Sequence, residues 1–322
     1  MKMQVPIVAL ISACLLTSLI LPFFISYQRR HDEGQQIREE GPKWHAKKSG
    51  TPIMGGLVFL SVIILVLLVL GAIFHQLTTS LWLFILVIFL YGAIGFSDDF
   101  IKLAKKRNMG LTAIQKFSAQ ILTAVLFLVI LMNDHQPHAL PMPGTLNPVQ
   151  APIIFAIFVG IWLVGFSNAV NLSDGLDGLA GGLNVIAYGS YAVLAYRDHN
   201  QVMLMVCLAV VGALVGFLFF NHKPAQIFMG DVGSLALGGG LAAISVILQR
   251  PWSLLLIGLV FVLETASVIL QVGSFKLFHR RIFLMTPIHH HFEKLGWSET
   301  KVVIVFWLVG LLSSILYLSL FH

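Results

Sequence analysis

PIMGGLVFLSVIILVLLVLGAIF, residues Pro52–Phe74, holds no charged side chain and a single hydroxyl, Ser61. A helix needs about 20 mainly apolar residues to cross a bilayer. With no water in the hydrocarbon core, backbone N–H and C=O groups must pair within the segment, and a helix does that. Nine other runs read the same way: Val5–Tyr27, Leu81–Phe96, Ile114–Met132, Ile153–Phe166, Leu179–Tyr196, Val202–Phe220, Leu235–Leu248, Trp252–Val272 and Val302–Phe321. Val5–Tyr27 is too long for a signal-peptide core and lacks a small-residue cleavage site, so it counts as a span. Several runs are short and must extend into flanking polar residues. The composition agrees, with 57% hydrophobic and 11% charged residues, against about 45–50% and about 25% in a soluble domain. The expected fold is all-α: a polytopic integral membrane protein of about ten transmembrane helices, one domain over residues 1–322. Cys14 and Cys207 both lie in apolar runs, so neither a disulfide framework nor a cysteine metal site is indicated.

The basic residues orient the bundle. Loops after odd-numbered spans, with the adjoining helix starts, hold seventeen of the 20 Lys and Arg, and the other side holds Lys2, Arg197 and Arg250. The positive-inside rule places the seventeen in the cytoplasm and both termini outside. The net charge of +6 is then a one-sided basic face, not a nucleic-acid patch. It serves topology and attraction to anionic lipid, or steers a phosphorylated substrate to that side.

Five polar clusters fall on that same side: WHAKKSGTP from Trp44, GFSDDFIK from Gly95, NAVNLSDGLDGLAGG from Asn168, NHK at Asn221 with IFMGDVGS from Ile227, and MTPIHHHFE from Met285. Asp98 and Asp99 are adjacent, so on a helix they diverge by about 100° and do different work. Asn168, Asn171, Asp174 and Asp177 recur every third residue, which on a helix makes one polar stripe. Asp231 lies in a glycine-flanked turn. Hard carboxylate and carboxamide oxygens suit Mg²⁺ together with substrate phosphates, and glycines such as Gly175 let backbone approach a ligand closely. Taken singly, Asp98, Asp174 or Asp231 reads as a helix cap. Five aspartates converging on one leaflet do not. His289–His291 cannot share one helix face, so they form no compact three-histidine metal site. They read either as a polar interfacial loop or as phosphate and proton contacts. Glu264 lies deep in the ninth span, where a charge is costly; it is protonated, paired inside the bundle, or beside a water-admitting bend. Gln271 lies one turn from that span's inner end, within reach of a cytoplasmic cavity.

KKSGTPIMGG, GFSDDFIK, NAVNLSDGLDGLAGG, FMGDVGSLALGG and PIHHHFEKLGW, with ten spans, cover nearly the whole chain. In these motifs the chain resembles the polyprenyl-phosphate hexose-1-phosphate transferases, and the PIHHHFE loop resembles the muramoyl-pentapeptide branch. The resemblance implies transfer of phospho-N-acetylmuramoyl-pentapeptide from UDP-N-acetylmuramoyl-pentapeptide to undecaprenyl phosphate, giving lipid I and UMP with Mg²⁺. It also implies a homodimer in the bacterial plasma (inner) membrane, with the active-site cleft on the cytoplasmic side. Matched motif to motif, it makes Asp231 the Mg²⁺ ligand, Asp98 the base that deprotonates or orients the lipid phosphate, and Asp99 an aid to metal or structure. It assigns Asn168, Asn171, Asp174, Gly175 and Asp177 to substrate, Asn221 and Phe228 to uridine, and Lys48, Lys102 and Lys116 to phosphate. Gln271, His290 and His291 complete the expected substrate contacts.

Two other readings compete. The same chemistry on UDP-N-acetylglucosamine is separated by substrate competition. A secondary transporter also uses broken helices and buried carboxylates, but its sites lie near the bilayer midplane, and only Glu264 does so here. A scaffold leaves the five clusters without a purpose.

Overall fold

The computed structural model describes residues 3–31, 50–105, 109–133 and 151–321. Lys48, with the rest of Trp44–Ser49, and residues 134–150 lie outside the described residues. The elements of the described chain are all helices: α1 Gln4–Arg30, α2 Gly55–Ile73, α3 Thr79–Ala104, α4 Ala113–Asn133, α5 Pro152–Leu172, α6 Leu179–Arg197, α7 Gln201–Asn221, α8 Gly230–Ile247, α9 Ser253–Ile257, α10 Leu259–Phe278, α11 Ile288–Lys294 and α12 Glu299–Leu320. Ten of these are long and apolar enough to cross a membrane. The protein is polytopic, as the apolar runs require. Cys14 and Cys207 are free thiols.

Local signals start the helices. Thr78, Asn200 and Ser298 are N-caps whose side chains accept from Leu81, Met203 and Lys301 N–H groups, which satisfies donors that have no intrahelical partner. Pro152 opens α5 where its missing N–H costs nothing.

The glycine-rich helix α8 is the axis of the bundle, with every residue from Val232 to Ile247 buried. It packs on α3 and α5, while α7 packs on α1 and α6. Lipid tails offer no hydrophobic drive between helices, so small residues and interhelical hydrogen bonds hold them together. Tyr188 donates its hydroxyl to the Leu237 carbonyl at 2.8 Å. Trp162 Nε1 donates to Ser245 Oγ at 3.1 Å, and Ser167 donates to the Leu235 carbonyl at 3.1 Å. Phe23, Ile114, Leu277 and Leu312 point outward, unburied by protein.

Several boundaries differ from the sequence reading. The eighth span starts at Gly230 rather than Leu235, so Asp231 sits in its first helical turn and not in a turn before it. The third span runs on past Phe96 to Ala104, because Asp98, Asp99 and Lys102 pair with partners inside the bundle and need not end the helix. The polar stripe is not one helix face: α5 stops at Leu172, so it holds Asn168 and Asn171, while Asp174 and Asp177 lie in the turn that follows. The ninth span is two helices, broken at Gly258, and its second part continues beyond Val272 to Phe278.

Candidate active site

At one end of the bundle α3, α5, α7 and α10 finish and α4, α6, α8 and α12 begin. Asp98 and Asp99 come from the last turns of α3, and Asp231 from the first turn of α8. One oxygen from each lies within 4.8 Å of the others. Two of these carboxylates are buried, Asp98 at 2% and Asp99 at 3% exposure, so their charges must be matched inside the protein.

Lys102 and Lys116 match them. Lys102 Nζ lies 2.5 Å from Asp98 Oδ2, 3.6 Å from Asp99 Oδ1 and 3.2 Å from Asp231 Oδ2. Lys116 Nζ, from the first turn of α4, lies 2.8 Å from Asp231 Oδ2 and 3.4 Å from Asp98 Oδ1. Backbone and amide donors fix the rest. Asp98 Oδ1 accepts from Leu111 N–H at 2.8 Å, and Asp99 Oδ2 from Val232 N–H at 3.2 Å. Asn171 donates to Asp231 Oδ1 at 2.8 Å and to Ser234 Oγ at 2.9 Å. Three carboxylates against two ammonium groups leave a negative site built of hard oxygens. That donor chemistry fits a divalent cation.

Glycines let the chains come this close. A Cβ on Gly95 would collide with the Asp231 carbonyl, so only glycine lets α3 lie against the start of α8. Gly230 has φ +76°, and a Cβ there would come within 2.6 Å of Asp99 Oδ2. At both positions the glycine admits a neighbouring segment of the chain.

A second group adjoins the first. The turn after α5 carries Asp174, which keeps part of its surface exposed yet is ringed by protein atoms. Burial, reinforced by the carboxylates of Asp231, Asp99 and Asp177, pushes its carboxyl up to about 8, against an opposing hydrogen bond from Gly230 N–H. Asp177 Oδ2 accepts from Ala225 N–H at 3.0 Å, and its own N–H donates to Glu299 Oε1 at 2.9 Å. Glu299 Oε2 pairs with Lys223 Nζ at 2.9 Å. Asn221 accepts from Gly178 N–H and donates to the Ile227 carbonyl. Phe228 is half-buried, and its backbone bonds to Pro52 and Gly55 tie the start of α2 to this loop.

These groups settle the family when set beside known proteins. The sequence pattern of glycosyl transferase family 4 matches residues 81–249, which run from α3 to the end of α8 and carry the acidic trio, both lysines and the Asp174–Asp177 turn. The chain is 57% identical over 316 residues to the phospho-N-acetylmuramoyl-pentapeptide-transferase of Lactobacillus johnsonii, covering 98% of this chain and 99% of the other. It is 56% identical over 313 residues to that of Lactobacillus acidophilus, 97% of each. With that of Lacticaseibacillus paracasei it shares 54% over 321 residues, the full length of both. The chain belongs to the phospho-N-acetylmuramoyl-pentapeptide-transferase family.

In this phospho-N-acetylmuramoyl-pentapeptide-transferase family member, the expected site residues divide by position. Asp98, Asp99, Asp231, Lys102, Lys116 and Asn171 meet directly. Asp98 and Asp99 lie close enough to Asp231 for the three to hold one metal ion together. Asn168 lies one turn back on α5 and ties it to α4 by donating to Gln120 Oε1 at 3.0 Å. Gln271 is engaged with backbone: Oε1 accepts from Ile282 and Phe283 N–H groups, and Nε2 donates to the Phe283 carbonyl. It shapes the loop before α11. The three histidines lie on α11, each facing differently. His289 is buried against Glu264, His290 meets Glu293 Oε2 at 2.7 Å, and His291 Nδ1 accepts from Leu284 N–H at 3.2 Å. Glu264 therefore has a hydrogen-bond partner inside the bundle, His289. Glu299 and Gln120 were not anticipated, and Ser234 was noted only as the end of the IFMGDVGS cluster. Glu299 carried a signal, as the first residue of a Ser-capped helix, and that signal said nothing of Asp177.

Proposed function

We propose that this protein transfers phospho-N-acetylmuramoyl-pentapeptide from UDP-N-acetylmuramoyl-pentapeptide to undecaprenyl phosphate, giving lipid I and UMP. The observation that carries this reading is the trio Asp98, Asp99 and Asp231, threaded by Lys102 and Lys116, at one end of an apolar bundle. The named transferases at 54% to 57% identity support it. We extend it to a cytoplasmic site with both termini outside, on the one-sided Lys and Arg count, and to the homodimer that the resemblance implies.

Phosphoryl transfer asks a protein mainly for positioning and charge neutralisation. An oxygen of the lipid phosphate attacks the sugar-bearing phosphorus of the donor. The bond from that phosphorus to the bridging oxygen breaks, and its electron pair leaves with UMP. Asp98 orients the lipid phosphate and takes its proton when it arrives protonated. Lys102 and Lys116, with Lys48, hold phosphate oxygens as point charges. Asp231, with Asp98 and Asp99, would hold Mg²⁺, which when bound offsets pyrophosphate charge. Asn171 keeps Asp231 aimed by its 2.8 Å bond. Asp174, Gly175, Asp177 and Asn221 form the nucleoside side, where Phe228 stacks on uracil. His290 and His291 cover the sugar-phosphate, on a helix whose entry loop Gln271 holds. Direct attack needs no aspartyl-phosphate, because the acceptor is already an anion; trapping a phosphorylated aspartate overturns that step.

The test supplies both substrates to detergent-purified protein and follows UMP with Mg²⁺ and with EDTA. UMP that requires metal, lipid phosphate and the muramoyl-pentapeptide donor is the expected result. UMP only with UDP-N-acetylglucosamine moves the chain to the sister reaction, and none with either donor sinks the enzyme reading.

A further inference from the structure

Glu264 is fully buried in α10, with a side-chain exposure of 0%, and His289 on α11 is 1% exposed. His289 Nδ1 lies 3.0 Å from Glu264 Oε1. The tautomer decides which of the two donates; either way, the bond sets which way the ring faces. The opposite edge of the ring lies on the turn after α5. A Cβ built on Gly175 would collide with His289 Nε2. The same ring packs on His290 with centroids 4.1 Å apart. Among the described residues, no hydrogen bond reaches Glu264 Oε2, so Oε1 is the atom that acts.

We propose that Glu264 is a positioning residue: through His289 it seats the Asp174–Asp177 turn and aligns α11 beside it. It touches no substrate. A carboxylate this deep among apolar helices is costly to keep, and a tight histidine partner facing the substrate turn gives it a role. The proposal deepens the donor-site reading above and rests on it for the kinetic arm alone.

The test compares E264Q, which keeps a hydrogen-bonding group for His289 Nδ1 on a side chain of the same length, with E264L, which keeps the volume and removes that group. Hydrogen–deuterium exchange on the ligand-free protein in detergent reads the seating without reference to any reaction. Exchange in residues 173–179 and 284–295 speeds up at least tenfold in E264L and stays near wild type in E264Q. In the transferase assay, E264L raises KM for the nucleotide donor tenfold or more, leaves KM for the lipid acceptor within threefold, and E264Q restores the donor KM. Unchanged exchange in E264L overturns the proposal, whatever the protein's substrate. A loss of kcat with both KM values unchanged also overturns it. If wild-type protein turns over no donor, the functional reading fails instead, and the exchange arm still decides the role of Glu264.

Discussion

Charge in the acidic trio is balanced residue by residue, which makes single isosteric changes informative. Asp231 receives Lys102, Lys116 and Asn171. Asp231→Asn keeps its shape and removes the charge that orders both lysines. UMP release is expected to fall by about 10²–10³-fold, the usual effect of deleting one preorganised electrostatic group, while the protein still elutes as wild type on size exclusion. Asp174 permits a prediction in pH. Its carboxyl is pushed up from 3.8 to about 8 in the fold. Between those values the unfolded chain has released a proton that the folded protein retains, so stability falls as pH rises across this window. Asp174→Asn removes that penalty. In metal-free buffer the variant should melt above wild type, with the gap widening from pH 5 to pH 8, even as donor turnover drops. A gap that does not change with pH would mean that Asp174 is ionised in the fold.

Between helices, the contact of α3 with α8 is set by glycine more than by shape. Gly95→Ala places a methyl against the Asp231 carbonyl, and overpacking of this kind costs about 1–3 kcal/mol. Because the displaced atoms carry the acidic trio, activity should fall along with the melting temperature. Gly160→Ala on α5 meets open space. It should be neutral or stabilising by up to ~1 kcal/mol, since alanine is the better helix former. Melting both variants in the same detergent checks the contrast. The apolar runs were legible because hydropathy alone dictates a spanning helix. The ends of those runs were not. Hydropathy falls at Asp98 and Asp99, yet α3 continues, because charges paired inside a bundle behave as interior residues. Gly258 breaks the ninth run although apolar residues flank it on both sides, so no change of composition marks the break. The clustering of Asp98, Asp99 and Asp231 could be read from their shared side of the membrane. The partner of Glu264 could not, since His289 lies 25 positions along the chain and on another helix.

At the scale of the whole molecule, polarity along the bundle axis is the property that function depends on. One end gathers the acidic trio, the Asp174–Asp177 turn and α11; the other carries the Asp198–Arg250 ion pair and the Arg197 contact with the Leu318 carbonyl. Among the described residues, eleven Lys and Arg lie toward the first end, and Arg197 and Arg250 toward the second. The positive-inside rule and an anionic inner leaflet favour the basic end facing inward, which is the orientation proposed above. Single cysteines at exposed His199 and Thr300, with Cys14 and Cys207 replaced by alanine, test this in intact spheroplasts. A membrane-impermeant maleimide should label His199→Cys directly and Thr300→Cys only after permeabilisation. The reverse pattern would put the acidic site outside the cell, and the reading of a nucleotide donor arriving from the cytoplasm would fall with it. Labelling of both positions before permeabilisation would mean a mixed orientation, which a seventeen-to-three asymmetry of basic residues argues against.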